Sequence, residues 1–270
     1  MQQMPSTATT PMPGMQELAE AFDRIGLEDT TRNAALMRRM DVKYVITEEQ
    51  LKSVLLECTR DYRVLEIDDR RVARYETQYF DTPEMRFYHE HHSDRPRRRK
   101  VRVRRYADSG DAFLEVKQRQ ADGRTVKTRI PITVTDGFDI SGMLSHPAFE
   151  AFGPLDAGRL QPSVSACFRR ITLVDPDKEE RVTIDFDVTF SHGVLERRMT
   201  GLVVAEVKQP RTGSSRFREV MRQHGIRPGS LSKYCLGVAC LRADVKKNLF
   251  KSRIRRILQL TEHETAADIR

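Results

Sequence analysis

Two-residue periodicity in a run too charged to bury is the feature that most restricts this chain. From Arg95 to Lys117 it reads RPRRRKVRVRRYADSGDAFLEVK, and eight of the twelve residues from Arg95 to Tyr106 are Arg or Lys. Lys100, Arg102 and Arg104 alternate with Val101 and Val103; after an Asp-Ser-Gly-Asp turn, Phe113, Glu115 and Lys117 alternate with Leu114 and Val116. The spacing predicts a β-hairpin with one ionic face. Cations crowded on one face repel unless carboxylates or an anionic ligand sit among them.

The same pattern recurs along the chain. Strands are predicted at 39–46, 62–68, 71–81, 123–133, 163–175, 181–190, 194–199 and 202–210, in addition to the hairpin. In 181–190 the alternation sets Val182, Ile184, Phe186, Val188 and Phe190 against Thr183, Asp185, Asp187 and Thr189. Helices are predicted at 15–24, 31–37, 48–58, 214–225 and 231–242, with helix and loop over 136–158. Residues 1–14 read as a flexible tail, 15–242 as one domain, and 243–270 as a basic amphipathic C-terminal helix. The expected fold is α+β. About eight antiparallel strands form a β tunnel with a charged lumen, and helices pack outside. A sandwich with the charges in solvent fits the alternation equally well.

Lys plus Arg number 47 against 39 Asp plus Glu, which favours an anionic partner without choosing it. Aromatic residues make up 7% with no Trp, a poor supply for stacking bases, so nucleic acid is not the expected partner. Cys58, Cys167, Cys235 and Cys240 have no CxxC spacing, and no apolar run approaches the length of a membrane helix, which together suggest a cytoplasmic setting. Walker A, GxGxxG and GxSxG motifs are absent. His89-Glu90-His91-His92 is too compact to converge well on a metal. In the tail, Lys246, Lys247, Lys251, Arg253, Arg255 and Arg256 beside Leu249, Phe250, Ile254 and Ile257 suit a surface helix, or one lying on an anionic membrane.

FLEVKQR (113–119) and VAEVKQP (204–210) each place Glu two residues before Lys on one strand face, and Asp41-x-Lys43 echoes them. With RMDVKY, YETQYFDTP, KVRVRRY, TVKTRIP and SKYCLG in this order, the chain resembles a bacterial VTC domain over roughly 20–242. That family is the polyphosphate polymerase module among the CYTH-like triphosphate tunnel metalloenzymes. The resemblance implies transfer of the γ-phosphate of ATP, or another triphosphate, to inorganic polyphosphate. Lys43, Arg102, Arg104, Lys117, Arg170 and Lys233 would be the catalytic cations. Lys100, Lys127, Lys208 and His91 would be further phosphate contacts. Glu206 would hold Mn²⁺ or Mg²⁺, with Glu115, Asp185 and Asp187 as additional carboxylate candidates.

There are departures. Where the hydrolytic branch opens with Glu-x-Glu-x-Lys, this chain has Arg39 and Asp41, which points away from a triphosphatase. His91 stands where fungal members carry an Arg, and the SPX domain and membrane helices of those proteins are missing. A membrane-protein partner is therefore a further expectation. A triphosphatase and a non-catalytic polyphosphate- or nucleotide-binding module are the alternatives.

Overall fold

The structure is a computed structural model describing residues 14–31, 39–133, 138–147, 149, 158–229 and 231–267. The expected tail up to residue 13, all but the first residue of the helix at 31–37, and residues 136, 137, 148 and 150–157 of the helix and loop expected over 136–158 lie outside the described residues. Eleven strands form one sheet: β1 (Asp23–Ile25), β2 (Arg39–Thr47), β3 (Arg63–Leu65), β4 (Val72–Asp81), β5 (Arg98–Tyr106), β6 (Ala112–Arg119), β7 (Thr125–Ile132), β8 (Gln161–Asp175), β9 (Glu180–His192), β10 (Leu195–Met199) and β11 (Leu202–Pro210). The helices are α1 (Met15–Glu20), α2 (Leu27–Thr31), α3 (Glu48–Cys58), α4 (Arg86–His92), α5 (Arg216–Gln223), α6 (Lys233–Leu241) and α7 (Lys251–Ala267). The helix expected to run to residue 24 stops at Glu20, and 23–25 pairs instead as β1, in parallel with β3.

The main path through the sheet is β2-β11-β9-β8-β4-β5-β6-β7, antiparallel throughout, with β10 added on β9 and β3 on β8. The sheet curls until Lys43 of β2 and Lys117 of β6 border one cavity. Among the described residues no ladder joins β7 to β2, so the curl is not closed by hydrogen bonds. The outer face is apolar, as expected. Ile171, Leu173, Val182, Ile184, Val203, Ala205 and Val207 pack with Leu51, Leu55, Phe217 and Met221 of α3 and α5. Val101, Val103, Leu114 and Val116 pack with Phe80, Phe87 and Phe149.

The inner face departs from the expected all-ionic lumen. Half of it is apolar: Tyr79, Val164, Ala166, Phe168, Val188, Phe190 and Val204 cluster with Tyr234, Leu236 and Val238 of α6 and Ile257 of α7. These two helices therefore pack on the inner face, where all helices were expected outside. A β-bulge makes this possible. The β8–β9 register shifts between Cys167 and Arg169, and Asp187 takes a left-handed φ of 51°. One extra residue in β9 reverses the pleat. Phe186 faces outwards, while Val188 and Phe190, of the same parity, face inwards. Helix α6 then approaches closely at Gly237, where a Cβ would lie 2.7 Å from Phe190 and 3.0 Å from Val164.

Asp81, the last residue of β4, locks this assembly. It is fully buried and accepts the backbone N–H of Thr82 (2.8 Å), Phe87 (2.9 Å) and Tyr88 (2.9 Å), and the Tyr234 hydroxyl. It thus supplies acceptors to the first turn of α4 and ties α6 to β4. Asp81→Ala leaves these donors unsatisfied in the interior. The expected loss is about 3 kcal/mol, to be measured by chemical denaturation.

The tail helix is also committed. Ile254 and Leu258 pack on the inner cluster beside Ile257, and the Leu249 N–H donates to His92 Nε2 (3.2 Å). Phe250 packs there too, against the His92 ring at 5.1 Å. Of the apolar residues that an anionic membrane would need from this helix, Phe250, Ile254 and Ile257 are turned into the protein and Leu249 is exposed. Among the described residues no helix is long and apolar enough to cross a membrane.

Candidate functional site

Register brings the predicted cations together. On β5 and β6, Arg102 stands opposite Glu115 and Lys100 opposite Lys117; β7 adds Lys127 opposite Lys117 and Arg129 opposite Glu115. On the other wall, Lys43 of β2 is opposite Glu206 of β11, and Lys208 is opposite Asp41. Between the walls, Arg170 of β8 is opposite Asp185 of β9. Lys233 opens α6, where Ser232 caps the helix by accepting the Cys235 N–H at 3.3 Å. The inner face carries the cations because the apolar residues of β2, β5, β6 and β11 are spent on the outer clusters.

Three carboxylates are shared among these cations. Arg170 donates to Asp185 through Nε (2.5 Å) and a terminal nitrogen (2.8 Å), and Lys233 bonds the same carboxylate. Glu206 pairs with Lys43 and lies 3.7 Å from Lys208. Arg102 Nε donates to Glu115 at 2.7 Å, with Arg104 at 3.7 Å and Arg129 at 3.9 Å from that carboxylate. Lys100 donates to the Ser232 hydroxyl at 3.0 Å.

Positive charge is in excess, and the ionisation of the lysines records it. Burial pushes Lys208 and Lys233 down to about 8, although Glu206 and Asp185 work in the opposite direction. Lys117 is wetted by the cavity but walled by protein elsewhere. Partial burial, with Lys127, Lys100 and Lys43 nearby, also brings it down to about 8. Burial, then Arg102 and Lys43, lowers Lys100. Burial alone would raise the carboxylates. Lys208 and Lys43 nevertheless hold Glu206 at about 2, and Arg170 and Lys233 hold Asp185 well below the usual range. Such a site is short of negative charge, which an anionic ligand supplies.

A cavity of about 700 Å³ opens beside this cluster. Lys43, Lys100 and Lys117 line it from the strands, Arg98 and Arg119 stand at the hairpin end, and Ser232, Leu236, Arg253 and Ile254 line it from the helices. Arg102, Arg104, Arg170, Glu206, Lys208 and Lys233 continue the inner face from there.

Other expected residues stand elsewhere. Asp187 is carried off the inner face by the bulge and pairs with Arg169 (3.2 Å) and Arg198 (3.5 Å). Lys127 lies exposed on the edge strand β7. His91 lines the cavity and donates Nε2–H to the Arg99 carbonyl (3.1 Å). Burial and then Lys100 push it down to about 3, so it is neutral where the family resemblance placed a phosphate contact. Arg99, in the basic run, turns to Glu90 and the Phe87 ring on the outer side. Arg129, Tyr75 and Phe168 went unrecognised; Phe168 shares its parity with Arg170, and that was the available signal. Among the described residues no three His, Cys, Asp or Glu side chains gather as a metal cluster.

Several solved structures are similar to parts of this chain. One is a Bacillus halodurans protein described as a candidate adenylate cyclase: TM-score 0.48, 13% identity, 72% of this chain and 94% of that one. A second is a Hippeastrum candidate adenylyl cyclase with a dominant triphosphatase activity: 0.46, 13%, 77% and 98%. A third is the PH1819 protein of Pyrococcus horikoshii: 0.41, 13%, 74% and 96%. Likeness at this level says nothing of this chain's chemistry. No curated protein matches the chain. The family model described as the VTC domain matches residues 38–242.

Proposed function

The chain belongs to the VTC domain family, and from that membership and the excess of cations on the inner face we propose that it is a polyphosphate polymerase acting on ATP. The observation that supports this reading best is the convergence of Lys43, Lys100, Arg102, Arg104, Lys117, Arg170, Lys208 and Lys233 around fewer carboxylates, chiefly Glu115, Asp185 and Glu206, with Asp41 opposite Lys208.

In the reaction, a terminal phosphate oxygen of the growing chain attacks the γ-phosphorus of ATP. The bond from that phosphorus to the β–γ bridging oxygen breaks, ADP leaves, and a new P–O–P bond lengthens the chain. Phosphoryl transfer asks the protein for alignment and charge neutralisation rather than a covalent partner. Arg102 and Arg104 on one wall, with Arg170 and Lys233 facing them, would hold the equatorial oxygens of the transferring group. Lys43, Lys100 and Lys117 would hold the neighbouring phosphates in and beside the cavity. Fixed in place before the reaction, these donors lose little to reorganisation as charge shifts to the leaving oxygen.

For a divalent ion, the donor set offers single carboxylates. A Mg²⁺-type ion takes one or two carboxylates and completes its shell with phosphate oxygens and water, and Glu206 fits that pattern. When bound, the ion would supply further neutralisation of the triphosphate. Asp185 is held by Arg170 and Lys233, and Glu115 by Arg102; Glu206 is itself paired with Lys43, so an ion there would displace that lysine.

The test incubates the purified chain with ATP and Mg²⁺ or Mn²⁺ and resolves the products by gel. Long-chain polyphosphate and ADP are expected. Glu206→Gln should slow polymer formation about tenfold without weakening triphosphate binding, since it frees Lys43 and Lys208. Free phosphate without polymer would make the protein a triphosphatase, and tight binding without turnover a binding module.

A further inference from the structure

Carboxylates hold a cation in place at the cost of cancelling its charge. Arg104, Arg170 and Lys233 also meet groups that do not cancel it. Tyr75 of β4 and Phe168 of β8 are cross-strand neighbours whose rings stack at 5.3 Å with 4° between planes. The Arg170 guanidinium lies 4.8 Å from the Tyr75 centroid and 5.4 Å from that of Phe168. Arg104 lies 5.6 Å from Tyr75, and the Lys233 ammonium 4.5 Å from Phe168. Phe168 is 4% exposed, so its ring is fixed by packing. An aromatic face attracts a cation through its quadrupole and leaves the net charge intact. One stacked pair thus contacts cations from β5, β8 and α6.

We propose that Tyr75 and Phe168 are positioning residues for the phosphate site, an uncharged platform holding Arg104, Arg170 and Lys233 in the geometry that receives consecutive phosphates. The assignment rests on the reading of the inner face as a phosphate site, but not on which acceptor the reaction uses. The nearby ion pairs do not make it redundant. Asp185 is shared by Arg170 and Lys233, and Arg104 is 3.7 Å from a Glu115 already bonded to Arg102, so none of the three cations has a carboxylate of its own.

The experiment measures binding of inorganic triphosphate to the full chain by calorimetry, with melting temperature followed in parallel. Tyr75→Phe keeps the ring and should bind within about twofold of wild type. Tyr75→Leu removes it from two guanidiniums and should weaken binding about fivefold to thirtyfold. Phenylalanine carrying one, two or three ring fluorines at position 75 should weaken binding stepwise at an unchanged melting temperature, because fluorine drains the ring face without changing its fit. That gradient is what a merely structural ring would not show, and it decides the matter if Tyr75→Leu fails to fold. Wild-type affinity in Tyr75→Leu, a flat fluorine series, or equal loss in Tyr75→Phe and Tyr75→Leu would each overturn the proposal. A wild-type chain that binds triphosphate but makes no polymer from ATP overturns polymerisation alone. A chain that does not bind triphosphate overturns both.

Discussion

Replacing Asp185 by alanine is expected to cost the unliganded protein about 3–5 kcal/mol, because it strands two buried cations at once. The Asp185 side chain is 5% exposed and those of Arg170 and Lys233 are 13% and 12% exposed, so water cannot take over the lost carboxylate. Two hydrogen bonds from the guanidinium and one from the ammonium end on it. The measurement is chemical denaturation without ligand. A loss under about 1 kcal/mol would mean that the two cations relax to solvent, and the site would then be far softer than drawn here. Inorganic triphosphate should rescue the variant, since it brings the missing charge to the same cations. Saturation at one hundred times the dissociation constant adds about 2.7 kcal/mol to any protein that binds only when folded. The increment at equal ligand concentration should be larger in Asp185→Ala than in wild type, because the anion no longer competes with the carboxylate.

How far the sequence carried this site depends on the kind of information each element needed. The hairpin was legible because its restraints are local. Alternation over 98–106 and 112–119 and the turn between them determine which side chains oppose, and Arg102 does stand opposite Glu115. The convergence of Lys43, Arg170 and Glu206 on that hairpin depends on strand order, which alternation does not encode; there the expectation came from the family resemblance. The bulge at Asp187 was hidden for another reason. The run VTIDFDVTF alternates without a break, and nothing local says that Asp187 will take a left-handed conformation. The reversal is required by a distant partner, α6, which must bury Val238 and Tyr234 against Val188 and Phe190. Strand β8 did contain a clue. Its even positions pass from Val164, Ala166 and Phe168 to Arg170, so one face changes from apolar to ionic along a single strand. An ordinary solvated or wholly ionic face would not do so; a face covered by a helix over half its length would.

Triphosphate affinity is expected to fall steeply on the alkaline side of neutrality. Lys117, Lys208 and Lys233 each lose their proton near pH 8, far below the usual lysine range. Only the ammonium form attracts phosphate. Above pH 8 each lysine that must be protonated for binding costs up to about tenfold per pH unit, so the three together are expected to weaken binding by on the order of several hundredfold between pH 7.5 and 9.0. The stability of the free protein should respond with the opposite sign. A lysine lowered by folding is protonated in both states below pH 8, where its unfavourable burial is felt in full. Between about 8 and the ordinary lysine value the unfolded chain binds more protons, and these groups make folding more favourable as pH rises. Glu206, Asp185 and His91 contribute no acid limb between pH 5 and 7. Glu206, at about 2, and Asp185, lower than normal, remain ionised there, and His91, at about 3, remains neutral. Calorimetric titrations with inorganic triphosphate across pH check the prediction. Arginine at all three lysine positions provides the control, because it keeps its charge throughout the range. If the alkaline loss persists in that triple variant, it arises from another cation of the site, with Lys100, also lowered by burial, the first to test. If it disappears, the three lysines are the groups whose charge the phosphates require.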